Sequence, residues 1–288
     1  MSMVRMCLKL SVVFFVLVSV VTDVQSDIAK NGFVESDGLQ IYYQMAGSGP
    51  PLVLAHGWGA DTQSNWVATG WIETLQSHRT VISIDIRGHG KSDKPLAHSP
   101  YSYSAMSNDV INVIAALDLG RVDFLGYSMG AFMGAYLIGH HPQYFNAVVL
   151  GGIGDETDAT AALGQAIGSA LRAEDPSQIT NDYARVVRAF VDQNPHSDRE
   201  ALAFSAEQMW PEGYPLKVAG AGIVNARMPV LVVNGADDLP YVRTARNFVD
   251  ALPQGSYLEI PGKDHTSVVA DSRFKEAVID FLTAHAPP

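Results

Sequence analysis

Residues 122 to 134, Val-Asp-Phe-Leu-Gly-Tyr-Ser-Met-Gly-Ala-Phe-Met-Gly, constrain this chain more than any other stretch. Val122 to Leu125 is a short apolar run that reads as a strand, and Gly126-Tyr127-Ser128-Met129-Gly130 follows it in the pattern G-x-S-x-G. Beyond it, Met129, Met133, Tyr136 and Leu137 recur at helical spacing. A serine squeezed between strand and helix sits in a strained turn, and the flanking glycines let the two elements pass closely. Such a turn lifts the Ser128 hydroxyl above the sheet edge, over a helix N-terminus that favours developing negative charge. That geometry suits a catalytic nucleophile.

Strand and helix signals alternate on both sides of this turn. Phe33 to Glu35 and Leu39 to Met45 read as strands joined at Asp37-Gly38, and Leu52 to Ala55 as a strand buried on both faces. A helical stretch around Trp66 to Leu75, a strand Val81 to Ile84 and a helix marked by Met106, Val110, Val113, Ile114 and Leu117 come next. After the Ser128 helix, Ala147 to Leu150 and Val230 to Val233 read as strands, then a helix near Arg243 to Leu252. A last strand, Tyr257 to Ile260, precedes a final helix carrying Phe274, Val278, Phe281 and Leu282. The alternation implies an α/β fold with a mostly parallel central sheet flanked by helices. Between Ile153 and Arg227 strand signals vanish and three helical patches appear; the clearest puts Ile179, Tyr183, Val186, Val187 and Phe190 on one face. Ser197 and Glu200 have capping-box spacing for the third patch. Residues 153–227 therefore read as a helical cap inserted after the sixth strand, with 27–152 and 228–288 as the core.

A serine hydroxyl needs a base, usually histidine, oriented by a carboxylate. The best-placed candidates follow strands, in the order Ser128, Asp238, His265. His265 lies in a Gly-containing loop after the last strand. Asp238 competes with its neighbour Asp237 and is favoured by its spacing from Gly235; Asp155, just after an earlier strand, is a third candidate. An oxyanion hole needs two preorganised amides, one from Met129 and one from Trp58 in the loop His56-Gly57-Trp58-Gly59. The Trp58 indole and Tyr127 are expected to bind substrate.

Five segments now stand in order: His56 to Gly59, Asp85-Ile86-Arg87-Gly88-His89-Gly90-Lys91-Ser92, Gly126 to Gly130, Gly235-Ala236-Asp237-Asp238 and Gly262-Lys263-Asp264-His265. On these the chain resembles the α/β-hydrolase family, in its capped single-domain form, over about residues 33 to 284. The resemblance implies that Asp85 to Ser92 is a structural turn without a catalytic part. A serine in place of aspartate at position 128 separates the chain from the dehalogenase and epoxide-hydrolase branches.

Other chemistries find little support. A formal charge of −11 disfavours nucleic acid and anionic membranes as partners. Gly90-Lys91-Ser92 ends like a phosphate-binding loop, but Asp85 stands where that motif needs glycine. No H-E-x-x-H or cysteine cluster occurs, so neither a metal nor a cofactor is expected. Arg5 and Lys9 precede an apolar run from Leu10 to Val21, with Val24 and Ser26 at small-residue cleavage positions. Residues 1–26 thus read as a signal peptide, whose removal takes the one cysteine, Cys7, and leaves no membrane span. The expected location is periplasmic or secreted, with an N-terminal anchor as the alternative; oligomeric state is not legible.

The triad and the resemblance imply a serine hydrolase acting on small or medium carboxylic esters through an acyl-enzyme. Two alternatives use the same triad: a cofactor-free perhydrolase or haloperoxidase, and a hydrolase of carbon–carbon bonds or lactones. A catalytically silent binding protein is the non-enzymatic alternative.

Overall fold

A computed structural model describes residues 28–155, 160–238 and 244–286. The expected signal peptide lies outside these residues. Eight strands form one sheet: β1 (Ile28–Ser36), β2 (Leu39–Ala46), β3 (Pro51–Ala55), β4 (Thr80–Ile84), β5 (Val122–Tyr127), β6 (Phe145–Gly151), β7 (Val230–Gly235) and β8 (Gly255–Ile260). Their order is β1-β2-β4-β3-β5-β6-β7-β8. Strands β3 to β8 are mutually parallel, and β2 is antiparallel to both β1 and β4. Asp37 and Gly38 both have positive φ (53° and 80°), which matches the right-handed twist of the β1–β2 hairpin.

The inner parallel strands β3 to β7 are mostly apolar and buried because helices cover both faces. Side chains alternate between two cores. Val53, Ala55 and Phe124 join a cluster with α2 (Tyr103–Ala116), α3 (Met129–His140) and Phe248 of α8 (Arg246–Asp250). Leu52, Leu54, Leu125 and Tyr127 join the opposite cluster with α1 (Trp71–Leu75) and α9 (Ser272–Ala284). Each such Val, Leu or Phe contributes roughly 1.5–3 kcal/mol when fully buried. The chain leaves β3 towards β4 on one side, while β5 lies on the other. The loops after β3 and β5 therefore diverge, opening the crevice where parallel sheets bind ligands.

Between β6 and β7 the chain forms α4 (Ala161–Arg172), α5 (Asp182–Val191), α6 (Arg199–Met209) and α7 (Pro215–Ala219). The first three share a small core of their own that includes Ile167, Leu171, Val187 and Leu202. The buried stripe of α5 differs from the expected one: Ala184, Val187, Arg188 and Val191 face inward, while Val186 and Phe190 are 63% and 45% exposed. Arg188 can be buried because Nη1 donates to the carbonyls of Ala170 and Ala173, both at 2.8 Å, and Nε pairs with Asp192. Asp198, rather than Ser197, caps α6, accepting from the amides of Glu200 and Ala201. The five-residue α7 is too short to show a period in sequence.

Candidate active site

Ser128 stands at the junction of β5 and α3 with φ 50° and ψ −113°, outside the ordinary conformations of a non-glycine residue. Its amide donates to the Gly151 carbonyl at 2.8 Å, and its own carbonyl accepts from Ala131 and Phe132. The glycines on either side are there for space. A Cβ on Gly126 would come 2.2 Å from the Gly130 carbonyl oxygen, and one on Gly130 would come 2.0 Å from that of Ala55. Helix α3 thus starts in contact with two strand backbones, and this closeness drives Ser128 outward.

Three loops at the C-terminal ends of the strands bring the partners in. His265 Nε2 lies 3.0 Å from Ser128 Oγ. On the other side of the ring, Nδ1 lies 3.1 and 3.2 Å from the two carboxylate oxygens of Asp238. The Asp238 side chain is 1% exposed and that of His265 23%, so the carboxylate is shielded and the imidazole can meet a substrate. With Nδ1–H donating to Asp238, Nε2 presents its lone pair to the Ser128 hydroxyl. The His265 loop is braced by the Asp237 amide, which donates to the Lys263 carbonyl at 2.9 Å. It is braced too by Asp264, whose carboxylate accepts from the amides of Thr266 and Ser267. The Ser267 hydroxyl, which also donates to this carboxylate at 2.7 Å, is the largest cause holding the Asp264 carboxyl down at about 2, with the amide bonds adding to it.

The competing carboxylates are occupied elsewhere. Asp237 is exposed. Asp155 is buried, but its oxygens accept from the amides of Asn247 and Phe248 at 2.9 and 2.7 Å, so it caps α8. The amides of Met129 and Trp58 have no acceptor among the described residues. Neighbouring amides are spoken for: Gly57 donates to Asn65 Oδ1 at 2.9 Å and Gly130 to the His56 carbonyl at 3.1 Å. His56 Nε2 accepts from the Ile86 amide at 3.0 Å, so its proton sits on Nδ1, which donates to the Gly57 carbonyl at 2.8 Å. Burial lowers the pKa of His56, against the pull of Asp85, and the ring serves as a neutral brace between the loops after β3 and β4.

The Trp58 indole packs edge-on against Trp210 at 5.4 Å, joining the core to the helical insertion. Tyr127, expected to bind substrate, is turned into the core beneath the site. Its side chain is on the α9 side of the sheet, 4% exposed, and its hydroxyl donates to the His265 carbonyl. Strand alternation was the signal available: Tyr127 is two residues from Leu125 and shares its face. Phe204 lies at the insertion's seam with the core, between Arg172 and His98. Phe190 packs where a Cβ on Gly59 would be 3.0 Å from its ring. Asn65 and Asp61 were not anticipated. Asp61 Oδ2 is 3.0 Å from His196 Nδ1 and 3.4 Å from Asn194 Nδ2, both from the insertion. Nothing in the local sequence pairs residues so far apart.

Among the described residues, no group of three or more His, Cys, Asp or Glu could hold a metal, and no helix is long and apolar enough to cross a membrane.

The sequence profile of the alpha/beta hydrolase fold matches residues 50–270. The 2-hydroxy-6-oxo-6-(2'-aminophenyl)hexa-2,4-dienoic acid hydrolase of Metapseudomonas resinovorans is 29% identical over 266 residues, 88% of this chain and 91% of that one. The 3-oxoadipate enol-lactonase 2 of Acinetobacter baylyi is 28% identical over 239 residues, 80% of this chain and 87% of the other. A solved hydrolase structure from Pseudomonas aeruginosa PA01 superposes with a TM-score of 0.71 at 25% identity, covering 88% of this chain and 98% of its own.

Proposed function

Since the chain belongs to the α/β-hydrolase fold family and is thus a hydrolase, we propose that it cleaves small or medium carboxylic esters through a serine acyl-enzyme. The observation that carries this reading is the 3.0 Å contact between Ser128 Oγ and His265 Nε2, with Asp238 behind the ring. His265 takes the serine proton as Oγ attacks the ester carbonyl. The positive charge that forms on the imidazole is balanced by Asp238. The amides of Met129 and Trp58, unpaired within the described residues, receive the tetrahedral oxyanion, each worth about 3 kcal/mol of barrier. His265 then protonates the leaving alcohol, activates a water and releases the acid.

The relatives favour a second reading, hydrolysis of a lactone or of a carbon–carbon bond, since the names of two of them specify a dienoic acid and an enol-lactone. Those names describe acidic compounds. Here three arginines of the insertion are engaged internally: Arg172 by Glu200 and Glu207, Arg185 by Asp182, Arg188 by Asp192. That engagement supports a neutral ester over an anionic substrate. The test is turnover of p-nitrophenyl esters from acetate to laurate by the protein and by Ser128→Ala. Ester turnover lost in the variant supports the reading. Labelling of Ser128 by a fluorophosphonate without ester turnover moves the assignment to lactones or carbon–carbon bonds.

A further inference from the structure

Ser128 and Tyr127 are neighbours in the chain, and both reach the same residue of the β8–α9 loop. Ser128 Oγ meets the His265 ring at Nε2, while the Tyr127 hydroxyl donates to the His265 backbone carbonyl. Two hydrogen bonds and one peptide link thus close a small ring around the nucleophile and its base. Space around this ring is tight. A Cβ on Gly152, whose φ is +66°, would come 3.0 Å from His265 Cε1 and 3.2 Å from the Tyr127 oxygen. The Tyr127 and His265 rings are 5.4 Å apart. The phenol is buried, and burial, reinforced by Asp238 and Asp264, raises its pKa, so it stays a proton donor throughout the working range of the enzyme.

We propose that Tyr127 is a positioning residue: its hydroxyl fixes the backbone of His265 so that the imidazole spans Ser128 and Asp238. The inference rests on Ser128 and His265 being nucleophile and base. Asp238 fixes the ring at Nδ1, and the carbonyl anchor adds a hold on the backbone that carries the ring by tying the loop to β5, the strand that also delivers the serine. Tyr127 touches neither the carbonyl under attack nor the oxyanion amides, so its loss acts on the chemical step and leaves substrate binding alone.

The experiment compares the full chain with Tyr127→Phe, Ser128→Ala and Val278→Ala on a p-nitrophenyl ester, together with fluorophosphonate labelling rates. All rates are taken per folded molecule, at a temperature below each variant's transition. Val278→Ala opens a void in the same core cluster without touching the histidine loop and controls for lost stability. Tyr127→Phe is expected to lower kcat about tenfold or more, since small misplacements of a reacting group have such effects. KM should stay within about twofold and labelling should slow in parallel, while Val278→Ala keeps its kcat. A Tyr127→Phe kcat equal to that of wild type or of Val278→Ala, with Ser128→Ala inactive, overturns the role of Tyr127 alone. Turnover retained in Ser128→Ala overturns the nucleophile assignment and this inference together.

Discussion

Asp61 Oδ2 lies 3.0 Å from His196 Nδ1, across the seam between the loop after β3 and the helical insertion. Asp61 is buried, and its other oxygen accepts from the amide and hydroxyl of Ser64, both at 2.7 Å. Burial pushes this carboxyl up, but the bonds from Ser64 and His196 outweigh it and hold it at about 2.

An acid whose pKa is lower in the folded than in the unfolded chain stabilises the fold above its unfolded value, near 3.9, and loses that contribution as the pH falls towards 2. Asp61→Asn should therefore lower the unfolding free energy by about 2 kcal/mol at pH 7. The deficit should shrink at pH 3. Urea unfolding of both proteins at the two pH values checks this, and an equal deficit at both would show that the carboxylate charge contributes nothing.

Two buried aspartates follow strands β6 and β7, and they should separate cleanly by kinetics. Asp238 faces the imidazole, whereas Asp155 caps α8. Asp238→Asn should reduce kcat by roughly 10³–10⁴, because the imidazole loses the anion that orients and charges it. Asp155→Asn should weaken the fold by about 1 kcal/mol, as the loss of a cap does, and leave kcat per folded molecule intact. A kinetic deficit in Asp155→Asn equal to that of Asp238→Asn would reverse the assignment of the acid.

The alternation of strands and helices was legible because period 2, period 3.6 and glycine breakers are local properties. The order of Ser128, Asp238 and His265 was legible too, since each follows a strand at the same sheet edge. What sequence did not reveal depends on contacts between distant segments. The buried stripe of α5 turned on the bonds of Arg188 to the carbonyls of Ala170 in α4 and Ala173 just after it, which let an arginine take an inward position. The direction of Tyr127 depended on which face of β5 meets α9. The link from Asn65 to the Gly57 amide spans eight residues with no periodic signal.

Gly130 and Gly38 test steric fit and backbone strain separately. A Cβ on Gly130 meets the Ala55 carbonyl oxygen at 2.0 Å, and a backbone atom of a central strand cannot move aside. Gly130→Ala should cost about 3 kcal/mol or more, at the upper end for overpacking. It should also inactivate the enzyme by displacing Met129. Gly38 has open space around it and a φ of +80°, so Gly38→Ala should cost only about 1–2 kcal/mol from the left-handed backbone and leave kcat unchanged. Thermal melts and ester turnover of the two variants give the comparison. Similar losses in both would mean that close packing at the Ser128 turn is not what glycine supplies.

At the opposite end of β5, the carboxylate of Asp123 is buried, and neither of its oxygens accepts a hydrogen bond among the described residues. Arg79 Nε lies 3.4 Å away but is not aligned to donate. Burial raises the carboxyl to about 6, and the pull of the guanidinium only partly offsets it. The sign is the reverse of that for Asp61: the folded chain holds a proton between pH 4 and 6 that the unfolded chain has released. Stability contributed by neutral Asp123 is therefore full below about pH 4 and lost as the pH rises through 6. Asp123→Asn removes this titration, and its difference from wild type cancels the groups common to both. The unfolding free energy of the variant relative to wild type should rise by about 2–3 kcal/mol between pH 4 and pH 7. A difference that stays constant over this range would mean that Asp123 titrates as it does in the unfolded chain, with water or a better-placed Arg79 satisfying its charge.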